Sequence, residues 1–405
     1  MTDKVIETIT EGVALAPKIR AVSEQVLEHH IQRDDVVHAT LLSLVSGSPV
    51  FFLGVPGVDK TGTIQALVRK IQGGRFYEAL MPTIVSMEQL LVESTSIEEI
   101  PAENGGKKIR THDTLGRAAD AHLVFADEIW KAEPMVLQTL IDLAKGDGIR
   151  HEGKLVETPL LSFLAASNEL PDPEGNLGAI WSRMTIRVQV DPLNRAGKKS
   201  LVQARLARDR SDGITTMIDQ LTLADIEVLR KARPDVKVSD EIVEIVLDIL
   251  QELVDDESSD FQWAWDDDRR FGRIFDVMQA NALLNGRDMV NKSDLSVLEW
   301  LLWDTPEQIP VVKAKILSYC RTVLSEAQEM VDALLSPSGT VKAVLEGDRS
   351  KGVNALTQCE STEKELQRLK NEAETTAMKS EVEDLISQVN STKEDVIAVV
   401  TGQKK

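Results

Sequence analysis

A short apolar run, Val50-Phe51-Phe52-Leu53, stops at Gly54-Val55-Pro56-Gly57-Val58-Asp59-Lys60-Thr61-Gly62, after which helical spacing resumes through Ile64, Leu67, Val68 and Ile71. A strand that feeds a glycine loop that feeds a helix leaves few folds open, because it aims backbone N–H groups and a helix N-terminus at one point. That point suits a phosphate. The spacing from Gly54 to Thr61 is that of a P-loop, with Lys60 placed to reach β- and γ-phosphates and Thr61 to ligate Mg²⁺. Residues 54–62 are therefore the candidate nucleotide-binding set. Asp59 stands where the pattern has glycine, and a carboxylate beside a triphosphate is unfavourable unless its side chain points away.

Two further runs, Leu123-Val124-Phe125-Ala126 and Leu161-Ser162-Phe163-Leu164-Ala165-Ala166, are apolar on successive positions, as strands buried on both faces of a parallel sheet are. Ile186 to Val190 adds a fourth. The first run ends in Asp127-Glu128, a pair that serves metal-assisted phosphoryl transfer to water: Asp127 would hold Mg²⁺ and Glu128 would orient or deprotonate the water. The second ends in Ser167-Asn168, whose amide can touch both a γ-phosphate and a lytic water. Arg183 lies just before the Ile186 strand. Taken alone, the asparagine reads as a turn residue and the arginine as a surface ion pair.

Residues 14 to about 46 read as helical, and residues 1–195 as an α/β domain with its sheet flanked by helices. From Lys198 onward helical periodicity dominates, through 222–232, 239–254, 269–285 and 293–303, which defines an all-α domain over 196–310. Between 252 and 268 lie Glu252, Asp255, Asp256, Glu257, Asp260, Asp266, Asp267 and Asp268, interleaved with Trp263 and Trp265. This reads as a solvated acidic loop anchored by aromatics. The segment 311–405 divides into a helix 312–335, a linker 336–355 and a helical tail 356–399, whose apolar spacing spells a hairpin or a short coiled coil. The tail can pack on the helix 312–335 or self-associate.

With 46 Lys+Arg against 66 Asp+Glu in 405 residues, the formal charge is -20, which disfavours a broad grip on nucleic acid. No stretch is apolar enough for membrane insertion, and Cys320 and Cys359 form no zinc-type spacing. A cytoplasmic location fits.

P-loop, acid pair, strand-end asparagine, arginine before a strand and then a helical lid resemble, in that order, an AAA+ ATPase core. Asp127-Glu128-Ile129-Trp130-Lys131-Ala132, Ser167-Asn168-Glu169-Leu170-Pro171, Asp268-Arg269-Arg270 and Asn285-Gly286-Arg287 look like the RavA-like branch of the MoxR group, over residues 23–330. The resemblance implies ATP and Mg²⁺ as cofactors, Asp127 and Glu128 as Walker B, Asn168 as sensor 1, Arg183 as a finger reaching the neighbouring subunit's ATP, and Arg269 as the sensor 2 arginine of the lid. Arg270 is the alternative for sensor 2, and Arg187 a second candidate for a contact in trans. A finger supplied in trans implies a homo-oligomeric ring, in this family typically a hexamer.

The same resemblance implies a protein client and a partner containing a von Willebrand factor A domain. RavA interrupts its C-terminal helices with a β-rich domain that docks a lysine decarboxylase; this chain lacks that pattern after Met330, so that partner is not expected. A loop between Glu93 and Arg117, carrying Lys107, Lys108, Arg110 and His112, resembles the helix 2 insert and reads either as a partner contact or as a solvated loop. Gly146 to Pro159 reads as a hairpin turning at Glu152-Gly153, which resembles the family's pre-sensor 1 hairpin. The expected function is ATP-driven remodelling or maturation of a client. Its rivals are an ATP-gated assembly scaffold with little hydrolysis and a nucleic-acid motor.

Overall fold

The computed structural model describes residues 3–101, 107–146, 148–151, 153–172, 177–208, 220–256, 261, 267–319, 323–336, 339–372 and 376–401. It divides into two compact units, Met1–Ile316 and Leu317–Lys405. Glu257, Asp260, Trp263, Trp265, Asp266 and Cys320 lie outside the described residues.

The first unit is organised on a five-stranded parallel sheet: β1 (Val50–Leu53), β2 (Phe76–Leu80), β3 (Leu123–Asp127), β4 (Ser162–Ser167) and β5 (Ile186–Gln189), in the order β5-β1-β4-β3-β2. Every residue of β1 and β4 is buried. That burial is why these strands read as continuous apolar runs rather than as alternation. The register puts Leu53 beside Ser167 and Gln189, and Asp127 beside Ala166, so the strands finish level. The loop after β1, the acid pair after β3 and the asparagine after β4 therefore share one edge of the sheet. Order along the sheet reverses at β1, and crevices at the carboxyl ends of strands at such a reversal are where open α/β sheets take ligands.

The helix Asp34–Ser46 is buried at all ten positions from Val36 to Ser46 other than His38, because it lies between the sheet and the helices Leu223–Ala232 and Asp268–Leu284. The helical prelude is three helices, Asp3–Ala14, Ala16–Leu27 and Asp34–Ser46, and the first packs on Leu223–Ala232 rather than on the sheet. A Cβ on Gly12 would lie 2.8 Å from the Ala232 Cβ, which is how close that approach is. The helices 240–254 and 268–284 form where the spacing predicts, whereas Lys292–Trp300 is a 3-10 helix.

Residues 92–115 differ from the expected loop. They form a long antiparallel ribbon, Val92–Pro101 with Lys107–Leu115, in which Ile97 and Ile109 are exposed on one face. The side chains of Lys107, Lys108, Arg110 and His112 lie outside the described ones. The hairpin at 149–156 forms as expected, Ile149–His151 with Lys154–Val156.

Of the expected helix 312–335, the described residues form Ile309–Tyr319, which runs across the boundary at Ile316, and Val323–Leu334 in the second unit, and the expected linker holds a short helix, Thr340–Leu345. Helices Gly352–Glu372 and Thr376–Thr401 pair along their length, and both pack on Val323–Leu334. Ala327, Val331, Val341, Cys359, Leu366, Val382 and Val396 form that core. The tail therefore folds back onto its own chain.

Candidate functional site

The glycine loop is built around the end of β1. Gly54 N–H donates to the Ser167 carbonyl at 3.1 Å, and a Cβ there would stand 2.5 Å from the Val190 carbonyl oxygen, so the position accepts only glycine without a backbone shift. Gly57 and Asp59 both have left-handed backbones, φ +85° and +64°. Such geometry turns successive N–H groups inward, and Asp is one of the few side chains that tolerate it. The missing glycine is thus replaced by a residue able to hold its conformation. The Asp59 carboxylate turns out of the loop: Oδ2 meets His30 Nδ1 at 2.7 Å, while Oδ1 lies over Gly62.

Since that carboxylate is paired and half exposed, its field at the loop's interior is weak. Asp59→Gly is expected to change ATP affinity by less than about threefold, under about 0.7 kcal/mol. Titration of a fluorescent ATP analogue against both proteins measures it, and a tightening of tenfold or more would mean the carboxylate faces the phosphates.

Lys60 is largely buried and donates to the carbonyls of Gly54 and, at 3.3 Å, Val55. Burial lowers its affinity for a proton, and the carboxylates of Asp127 and Glu128 oppose that shift. Asp127 at the end of β3 is pushed the other way: burial raises its pKa, partly offset by the Glu128 N–H on Oδ1 at 3.0 Å and by Lys60. Glu128 adopts a left-handed backbone, φ +54°, the kind of strain that persists where the surroundings over-determine a residue. Its Oε2 accepts from Lys131 Nζ at 2.9 Å. Asn168 is exposed one residue beyond β4. Lys60, Thr61, Asp127, Glu128 and Asn168 thus gather at one edge of the sheet.

The donor set fits a magnesium nucleotide. Mg²⁺ prefers hard oxygen donors from one or two side chains plus phosphate and water, and the half-buried Asp127 carboxylate at the end of β3 and the Thr61 hydroxyl in the first turn of the helix after the loop are donors of that kind. A cleft of about 340 Å³ opens beside the loop, walled by His29, Ile31, Val58, Pro192, Leu193 and Leu201. Arg33, Asp59 and Lys198 also line it, and its apolar part suits a nucleobase. Sequence reasoning missed this cleft, although Asp191-Pro192-Leu193, directly after β5, is a strand-end loop at the same edge.

The arginines stand elsewhere. A cleft of about 360 Å³ is lined by Pro49, Lys145, Arg183, Thr185, Arg269, Arg270 and Arg273, with Pro49 just before β1 and Thr185 just before β5. The loop begins at Gly54, at the other end of β1, about 16 Å away at ~3.3 Å per residue. Arg183 and Arg269 are therefore brought together, and away from Lys60. Arg269 is exposed, and Arg273, one helical turn on, shares its face.

Two expectations fail here. Arg270 points inward, 6% exposed, with Nε at 2.9 Å and Nη2 at 2.6 Å from the Leu301 carbonyl, so it is no alternative for sensor 2. Arg187, the second candidate for a contact in trans, is 1% exposed, stacked 3.8 Å over the Trp181 ring and bonded to Asp304. Burial lowers its pKa to about 10 against the pull of Asp304. Both guanidiniums are committed to partners within the chain.

A parallel sheet with a phosphate loop at its switch point, an acid pair two strands away and a helical lid defines an AAA+ architecture. Residues 17–231 match the family model of the MoxR domain in the MoxR-vWA-beta-propeller ternary systems, and residues 241–316 match an AAA lid domain. The chain belongs to the MoxR family of AAA+ ATPases. Two uncharacterized proteins of Methanocaldococcus jannaschii are each 25% identical to it, over 78% of this chain and 81% of theirs, and over 88% and 90%. The crystal structure of an ATPase candidate from Cytophaga hutchinsonii shares the fold at a TM-score of 0.55 and 15% identity, over 77% of this chain and 96% of that one. Among the described residues, no helix is long and apolar enough to cross a membrane.

Proposed function

We propose that this chain is a Mg²⁺-dependent ATPase that works as a closed ring of identical subunits, a hexamer by its family's habit, in the cytoplasm. Lys60 and the loop N–H groups bind the phosphates of ATP, Thr61 and Asp127 hold the metal, Glu128 and Asn168 position the water, and Arg183 and Arg269 serve the nucleotide on the next subunit. Bound Mg²⁺ neutralises charge on the transferring phosphoryl group. The carrying observation is the separation of the two halves of the machinery along β1. A cation cleft that cannot reach its own loop has a use when subunits stack head to tail, and head-to-tail contacts close into rings.

The output is remodelling or maturation of a protein client, coupled through a von Willebrand factor A domain partner. The family's description, which joins MoxR with vWA and a β-propeller, supports that coupling. Closeness to the RavA-like branch rests on the strings around Asp127, Asn168 and Arg269 alone. The second reading, an ATP-gated scaffold with little hydrolysis, draws on the Glu128 carboxylate being engaged by Lys131.

ATP turnover per subunit measured across a wide protein concentration range, with Glu128→Gln alongside, tests the reading. Turnover should rise with concentration and fall at least about 10²-fold in Glu128→Gln while ATP still binds. Turnover independent of concentration sinks the ring; bound ATP with no turnover at any concentration favours the scaffold.

A further inference from the structure

Asp304 sits at the junction of two buried arginines that also donate to backbone carbonyls. Arg187 reaches from β5, donating from Nε to the Met184 carbonyl at 2.9 Å and from Nη2 to the Trp181 carbonyl at 3.0 Å. Those carbonyls bracket Arg183, so Arg187 clamps the turn that presents it. Arg270, next to the exposed Arg269, donates to the carbonyls of Leu301 and, at 3.1 Å, Trp303, and its Nη1 lies 3.3 Å from Asp304 Oδ1. Arg187 Nη1 bonds to that same Oδ1 and to the Trp303 carbonyl. Asp304 is itself fixed, since its N–H donates at 2.7 Å to Oε1 of the buried Gln308.

One carboxylate oxygen therefore ties the start of the lid helix to the turn before β5, and through them Arg269 to Arg183. Two cations buried on one carboxylate are poor value for stability alone, since well-packed apolar side chains commonly do as well. The arrangement fixes geometry instead. Arg187 cannot slide on Trp181, because its fork is already shared among four acceptors.

We propose that Asp304, acting through Arg187 and Arg270, is the positioning residue that sets Arg183 against Arg269 in the cleft offered to a neighbouring subunit's nucleotide. This rests on the reading that those two arginines act in trans. Asp304 touches no substrate, so its removal leaves binding at the loop intact and loosens only what a subunit gives its neighbour.

The test is complementation with full-length chains. A subunit carrying Arg183→Ala keeps its own Glu128, and one carrying Glu128→Gln keeps its arginines. Mixed, the two should regain at least about tenfold of the turnover that each lacks. The reference mixture is then repeated with Asp304→Asn added to the Glu128→Gln subunit. The expected result is rescue lost by about tenfold or more, with ATP affinity of the Asp304→Asn chain within about twofold and rescue returning in part with Asp304→Glu. Full rescue by the Asp304→Asn subunit overturns the proposal. A loss of rescue that is matched by an equal loss of ATP-binding capacity reports a folding defect in that variant instead.

If Asp304→Asn does not fold, Arg187→Lys takes its place, because lysine keeps a cation on Asp304 but cannot span the carbonyls of both Trp181 and Met184. Full rescue by that subunit likewise overturns the proposal. Failure of the reference mixture, before any change at Asp304, would instead bring down the trans reading itself.

Discussion

Replacing Arg183 with alanine is expected to cut ATP turnover about 10³-fold or more while leaving ATP affinity within about threefold, as removal of a finger arginine does in phosphoryl transfer. The two effects separate because the two ends of β1 do. The loop, Lys60 and Asp127 sit at its carboxyl end, while Arg183 opens into the cleft at Pro49. An arginine confined there has nothing to offer its own subunit's phosphates. Its loss should also abolish the rise of turnover with protein concentration, since assembly no longer completes a site. Steady-state turnover paired with equilibrium binding of a fluorescent ATP analogue measures both. Affinity falling tenfold in parallel with turnover would mean that Arg183 serves its own site.

That division along β1 was half legible in the sequence. Strands buried on both faces announce themselves as consecutive apolar residues, and their carboxyl ends carry Gly54, Asp127 and Asn168 in plain order. The relation of Arg183 to Arg269 was not legible, because it depends on contacts between residues more than eighty apart in the chain. Arg187 and Arg270 look from their neighbours like surface arginines; only the arrival of Asp304, 117 residues beyond Arg187, makes them interior. The ribbon 92–115 escaped for another reason. Successive side chains from Glu93 to Glu99 are all exposed, so Glu93-Ser94-Thr95-Ser96 carries no alternation to read. The helical periodicity over 293–303 does not distinguish the 3-10 helix Lys292–Trp300 from an α-helix, because residues three apart share a face in both at short length.

The largest expected loss of stability belongs to Trp303, which is 1% exposed and packs edge-on against Trp181, with ring centroids 6.2 Å apart. Trp181 in turn meets Phe51 of β1 and Trp130 of the turn after Glu128, at 5.2 and 5.9 Å. Trp303 Nε1 also donates to the Arg187 carbonyl at 3.1 Å. Trp303→Ala removes the ring that joins this aromatic cluster to the lid and leaves that carbonyl without its donor. A cost of about 3–5 kcal/mol follows for the first unit. The second unit has a core of its own, from Ala327 to Val396, which Trp303 does not enter. All 6 tryptophans fall within residues 130–303, so their fluorescence reports the first unit alone, while circular dichroism sees the helices of both. Under urea, Trp303→Ala should move the fluorescence midpoint down by roughly 1–2 M, at a slope of ~2–3 kcal/mol/M. The share of the ellipticity owed to residues 323–401 should unfold where it does in the parent chain. A fluorescence midpoint shifted by less than about 0.3 M would show that the first unit does not depend on the ring. An equal shift in both signals would show that the two units unfold as one.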